Sequence, residues 1–143
     1  MKKITFIFLL TSFTAFSQPF VSGEAGNRLG INAGYNYNNV VLKAGGLFPY
    51  TRTTTKSNIT YLSAGYKIGF ITPLIGISGY HTTEFKELHG EINPKEIRKT
   101  VVLYSLELGK NFTTINNNSY RLYLFGTHAE NNFFGAGLRI KIK

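Results

Sequence analysis

The sequence of 143 residues predicts an all-β fold, an eight-stranded antiparallel up-and-down transmembrane β-barrel behind a cleaved signal peptide. Three observations predict it. The N-terminus has the layout of an export signal. Apolar residues then recur with a period of two along most of the remaining chain. The residues alternating with them are small or singly charged, which suits a narrow barrel interior better than a water-facing surface.

Met1, Lys2 and Lys3 lead into the apolar run Ile4 to Leu10, which continues weakly through Phe13 and Phe16. A basic start, a short apolar stretch and small residues at Ala15 and Ser17 form a cleavable secretory signal. Cleavage after Ser17 makes residues 1–17 the signal and 18–143 a single domain starting at Gln18. The run is far short of the roughly 18 apolar residues that span a bilayer as a helix. No cysteine follows it to carry a lipid, and none elsewhere allows a disulfide. Removing Lys2 and Lys3 from 16 basic residues leaves 14 against 7 glutamates, a net charge of +7. In an exported chain that balance points to anionic lipid or an acidic ligand rather than nucleic acid.

Beyond residue 27 the alternation is explicit. Leu29, Ile31, Ala33, Tyr35 and Tyr37 oppose Gly30, Asn32, Gly34 and Asn36. After the turn pair Asn38-Asn39, Val40, Leu42, Ala44, Gly46 and Phe48 oppose Val41, Lys43, Gly45 and Leu47. Leu62, Ala64, Tyr66, Ile68 and Phe70 oppose Tyr61, Ser63, Gly65, Lys67 and Gly69; Val102, Tyr104, Leu106 and Leu108 oppose Val101, Leu103, Ser105, Glu107 and Gly109. The last run sets Phe134, Ala136, Leu138, Ile140 and Ile142 against Phe133, Gly135, Gly137, Arg139 and Lys141. Leu74 to Phe85 and Tyr120 to His128 are strand-like with a less clean split.

A soluble lipocalin-like barrel alternates too, but puts its apolar face inside and a charged face in water. Here the second face holds Gly, Ser and Asn with isolated charges, and charged residues are only 16% of the chain. That is thin cover for a domain with water outside. The apolar face is free of charge through the middle of every clean run, as hydrocarbon demands. Tyr35, Tyr37, Phe48, Tyr50, Phe70, Tyr80, Phe85, Phe112, Tyr120 and Phe134 cluster toward run ends, the pattern of interfacial aromatic girdles.

Seven runs are clear, at 28–37, 40–50, 58–70, 73–85, 99–112, 119–128 and 132–143. An antiparallel bacterial barrel closes on an even count, and Pro19 to Ala25 supplies the eighth, with Glu24 pointing inward. Both termini then lie on the periplasmic side with the turns Asn38-Asn39, Ile71-Thr72-Pro73 and Thr113 to Asn118. Gly26-Asn27, Thr51 to Ser57, Lys86 to Arg98 and Ala129 to Asn131 face outward. The two longest connections fall outside, as the short-turn, long-loop asymmetry of such barrels requires.

On these features the chain resembles the small eight-stranded outer-membrane barrels, the group of the outer-membrane protein A barrel domain and outer-membrane protein X. The resemblance is architectural and covers nearly all of residues 19–143. It implies a Gram-negative outer membrane as the location, outer-membrane lipids including lipopolysaccharide as surroundings, and envelope structure, surface adhesion or stress tolerance as roles. The final run Phe133 to Lys143 looks like the C-terminal strand read by barrel-assembly machinery, though it ends in Lys143 rather than an aromatic residue.

An eight-stranded interior is just wide enough to fill with side chains. Glu24 and Glu107 are therefore expected to pair inside with Lys43, Lys67, Arg121 and Arg139, because lone buried charges are very costly. A narrow cationic pore is the functional alternative. For outside contact the first choice is the 86–98 loop with Lys86, Glu87, His89, Glu91 and Lys95, and the second is Arg52 and Lys56, whose charges would meet lipopolysaccharide phosphates. Glu84, Glu87, His89 and Glu91 offer metal-ligating side chains, with a helical turn conceivable over Glu84 to His89. No recognised metal spacing is present, and no cofactor is expected.

Lipid A deacylases on eight-stranded barrels use a His, a Ser two residues later and a Glu in the last strand. This chain has His128, but Glu130 stands at the Ser position and no acid follows from Asn131 to Lys143. His81 has no obvious Ser or acid partner. The expected function is thus a non-enzymatic outer-membrane barrel with a structural or surface-interaction role. The alternatives are a soluble periplasmic or secreted lipocalin-like barrel binding an apolar ligand and, behind it, an outer-membrane lipid-modifying enzyme.

Overall fold

Short turns join successive runs, so each strand pairs with its sequence neighbour and the last returns to the first. The computed structural model describes residues 18–49, 56–88, 91–114 and 118–142, with the backbone alone at 56–57, 83–88 and 91–95. Its strands are β1 (Gln18–Gly26), β2 (Leu29–Tyr37), β3 (Val40–Phe48), β4 (Lys56–Tyr66), β5 (Ile71–Leu88), β6 (Glu91–Thr113), β7 (Ser119–His128) and β8 (Asn132–Lys141). They form a closed antiparallel barrel in sequence order. Closure joins β1 to β8 from Phe20 paired with Lys141 to Gly26 paired with Gly135. Residues 1–17, expected to form a signal, lie outside the described residues.

Side chains sort by parity. Leu29, Ile31, Leu62, Ile75, Ile77, Leu106, Leu122, Leu124, Leu138 and Ile140 stand exposed on the exterior, Ile31 at 70% and Leu124 at 62%. Ser22, Glu24, Asn32, Lys43, Ser63, Glu107, Arg121 and Arg139 are buried inside. Burial here is inverted relative to a water-soluble barrel: carbon faces out and charge faces in.

The strand limits differ from the sequence expectation at three places, each for a physical reason. Ile71-Thr72-Pro73 is not a turn; the chain reverses over residues 67–70, with Gly69 at φ +60°, where a side chain would be strained. Thr72 and Pro73 belong to β5, and Pro73 sits just past the last β4–β5 pair, Gly65 with Leu74, where a missing N–H is tolerated.

The second difference is larger. Residues 86–88 and 91–98 are strand rather than loop, for β5 and β6 continue as a two-stranded ribbon up to Leu88 paired with Glu91. The described β4–β5 pairing starts at Lys56 with Thr83 and β7 pairs with β6 from Tyr104, so the described β5–β6 pairing runs further than either. Residues 96–100 are exposed without interruption. Alternation signals a strand only where its two faces meet different media, and residues 96–100 are exposed on both faces. Backbone of Glu84–Leu88 is extended, which removes the helical turn considered for a metal; His89 lies outside the described residues. Third, Lys56 and Ser57 open β4 instead of closing a loop, while Arg52 lies outside the described residues.

The interior is not polar throughout. Leu47, Ile59, Tyr61, Tyr80, Leu103, Phe125 and Phe133 form an apolar plug in the half of the lumen away from the termini. Phe20, Val41 and Leu74 form a smaller cluster toward the termini. Tyr80, expected in an interfacial girdle, is 5% exposed and belongs to the plug. Its hydroxyl accepts from the Glu130 backbone N–H at 3.2 Å, so the buried ring keeps its polar tip satisfied. A barrel this narrow gains nothing from a water column and closes on hydrocarbon instead.

Candidate functional site in the lumen

Between the two apolar clusters lies a layer of charge. Glu24 on β1, Lys43 on β3, Glu107 on β6 and Arg139 on β8 all point inward by strand parity, from four different walls. Lys43 Nζ donates to Glu24 Oε1 and, at 3.0 Å, to Glu107 Oε1. Arg139 donates from one terminal guanidinium nitrogen to both Glu107 oxygens, at 2.9 and 2.8 Å, a charge-assisted contact. Glu107 is 0% exposed. The arrangement ties β1, β3, β6 and β8 together across the axis.

Aromatic faces complete the desolvated cage. The Arg139 guanidinium lies 4.2 Å over the Phe20 ring and 5.0 Å from that of Tyr123; the Lys43 ammonium lies 5.6 Å from the rings of Tyr61 and Tyr123. Such contacts with desolvated cations stabilise them without adding charge. The Tyr123 hydroxyl donates to Glu24 Oε1 at 2.8 Å. Ser22 and Asn32 hydrogen-bond beside it.

Not every expected member joins. Arg121 forms no ion pair among the described residues; one of its guanidinium nitrogens donates to Thr72 Oγ1 at 3.0 Å and to the Phe70 carbonyl at 3.3 Å. Lys67, in the β4–β5 turn, is only half-buried and lies toward the termini, away from both carboxylates. Conversely, Tyr123, Tyr61 and Thr72 serve the lumen and were not singled out from sequence. Tyr123 and Phe125 point inward, and these large inward residues blurred the alternation of β7. A usable signal was present nonetheless: both cross-strand neighbours of Tyr123 are glycines, Gly109 and Gly137.

Those glycines make room for the ring. A Cβ at Gly137 would fall 2.4 Å from Tyr123 Cζ. Gly137→Ala is therefore expected to push the phenol off Glu24 and destabilise the barrel by about 1–3 kcal/mol, the usual cost of overpacking. Urea midpoints in lipid vesicles measure it, and a cost no greater for Gly137→Ala than for the sterically open Gly126→Ala would contradict it.

Other polar groups lie at the outward end. Lys99 pairs with Glu130 at 2.7 Å, His81 and Arg98 each approach Glu96 at 3.5 Å, and His128 Nδ1 lies 2.7 Å from Asn132 Oδ1. Glu130 is thus engaged by a cation and His128 by an amide. No group of three or more metal-ligating side chains occurs among the described residues. None of the described helices is long and apolar enough to cross a membrane, a test that says nothing of strands.

Fold and lumen together define a closed eight-stranded antiparallel barrel with an apolar exterior and a charge-clamped interior. The chain is similar to the N-terminal β-barrel domain of Pseudomonas aeruginosa OprF, with a TM-score of 0.51 and 17% identity over 87% of this chain and 94% of that one. A looser superposition relates it to Neisserial surface protein A, with a TM-score of 0.42 and 13% identity over 88% of this chain and 94% of that one. The likeness to the OprF domain is one of fold. No protein-family model matches the sequence, and no curated protein does either.

Proposed function

We propose that the chain is an integral outer-membrane β-barrel, non-enzymatic and sealed, whose wall anchors outward-facing segments for a structural or surface-contact role. The observation that carries this reading is the continuous belt of exposed Leu, Ile, Val, Phe and Tyr on the exterior, with every described inward charge on the opposite face. In water such a belt would be an aggregation surface far larger than monomeric proteins tolerate. In hydrocarbon it is the required solvent contact. The β5–β6 ribbon is the part best placed to meet a partner, replacing the loop expected from sequence.

A ligand-binding soluble barrel fits less well. The lumen cavities beside the charge layer measure only about 10 and 50 Å³, whereas small-molecule sites run to roughly 300–1,000 Å³. The same filling opposes a pore.

Fractionation tests the reading. The protein is expected to sediment with outer membranes, to need detergent for extraction, and to migrate faster on a gel before boiling than after. In planar bilayers it should show no steady conductance. Release in detergent-free buffer by osmotic shock would end the proposal.

A further inference from the structure

The lumen holds more cation than its carboxylates can neutralise, and the surplus sits at one end. Glu24 and Glu107 are engaged by Lys43 and Arg139. Toward the termini lie Arg121, Lys67 and Lys141, none with a carboxylate in ion-pairing distance among the described residues. Lys141 donates to the side-chain amide of Gln18 at 2.9 Å. Arg121 and Arg139 are direct cross-strand partners on the same inward face. Like charges placed so repel each other, and at 4% exposure Arg121 has little water to screen it.

These four cations line a single cavity of about 50 Å³, together with the amides of Asn36 and Asn111. On this measure a water needs about 10–15 Å³, so the space admits an oxyanion. Two donors on its lining residues, the Nε of Arg121 and that of Arg139, are buried without a hydrogen-bond partner. Buried polar groups left unpaired cost free energy. Here the unpaired groups are guanidinium N–H donors, on side chains more than nine-tenths buried, and no carboxylate lines the cavity among the described residues.

We propose that this cavity is an anion site for a phosphate-type tetrahedral oxyanion, held by Arg121, Arg139, Lys67 and Lys141 at the end of the lumen where the termini lie. Guanidinium forks and mobile ammonium groups are the donors that suit such an ion. The carrier is either inorganic phosphate or a phospholipid headgroup, which present the same oxygens. Burial first, and then the charges of Arg121, Lys141 and Arg139, lower the Lys67 ammonium below the usual lysine range; a bound dianion relieves that crowding. The site belongs to the lumen and stands whichever medium surrounds the barrel.

The test uses the chain from Gln18 to Lys143 folded in maltoside micelles, which contain no phosphate. The midpoint of the heat-induced gel shift is followed against inorganic phosphate, chloride and acetate at matched ionic strength. A second arm replaces phosphate by micelles doped with phosphatidylglycerol. Phosphate is expected to raise the midpoint saturably, as a ligand of the folded state does, and chloride and acetate are not. Arg121→Gln should abolish the response, and Lys67→Gln should weaken the apparent Kd about tenfold or more. Lys67 lies in a turn, so its variant keeps the test alive where Arg121→Gln folds poorly. Lys99→Gln, at the opposite end, should respond like the parent. A response confined to the doped micelles and lost in Lys67→Gln also supports the site and identifies the headgroup as its source. Equal responses to the three salts with none specific to doped micelles, or an undiminished response in Lys67→Gln, overturn it.

Discussion

Glu107→Gln is expected to remove about 3–5 kcal/mol of stability, the cost of leaving buried charges without their partner. Three observations set the size of the effect. Glu107 is wholly buried, it accepts two hydrogen bonds from Arg139, and it shares Lys43 with Glu24. The amide keeps the shape and one acceptor oxygen but loses the charge, and its NH2 turns a donor toward the cations Arg139 and Lys43, so no anion is left beside the Arg139 guanidinium. For a domain whose total stability is typically about 5–15 kcal/mol, that loss lowers the urea midpoint markedly and shrinks the fraction that folds into vesicles. Glu107→Leu combined with Arg139→Met should cost less than Glu107→Gln alone, because removing both charges leaves neither stranded while Lys43 keeps Glu24. If the double variant is the less stable of the two, the clamp is not what holds these walls together.

The same residues mark where reading the sequence succeeds and where it stops. Lys43, Glu107 and Arg139 were legible as inward groups because each is an isolated charge on the small-residue face of a clean run. Glu24 was legible once an even strand count demanded a strand at Pro19 to Ala25. Parity, however, says which face a residue occupies and nothing of its height along the axis. That is why Lys67 and Arg121 were grouped with the carboxylates, although both stand closer to the termini than the clamp, Arg121 one pairing position from it beside Arg139. Tyr80, Leu103, Phe125 and Phe133 show a second limit. An apolar residue on the inward face reads as a flaw in the pattern, whereas a sealed barrel needs it as filling. The β5–β6 pairing shows a third: residues 96–100 are exposed on both faces, and such a strand lacks the alternation that would announce it.

Leu124→Arg decides what surrounds the barrel. Leu124 is at the middle of β7, between Leu108 on β6 and Ala136 on β8, and it points outward at 62% exposure. If hydrocarbon lies outside, a guanidinium near the midplane costs about 2–4 kcal/mol, partly relieved as its long stem carries the charge toward the interface. If water lies outside, the same substitution on an exposed strand is close to neutral, because it opens no cavity and buries no charge. Refolding into vesicles of graded acyl-chain length, with urea midpoints for Leu124→Arg and Leu124→Gln, separates the two. The Arg variant is expected to lose more stability than the Gln variant, and the gap should widen as the bilayer thickens and its charge sits deeper. Equal midpoints for parent and Arg variant at every thickness would put Leu124, and the belt it belongs to, outside the lipid.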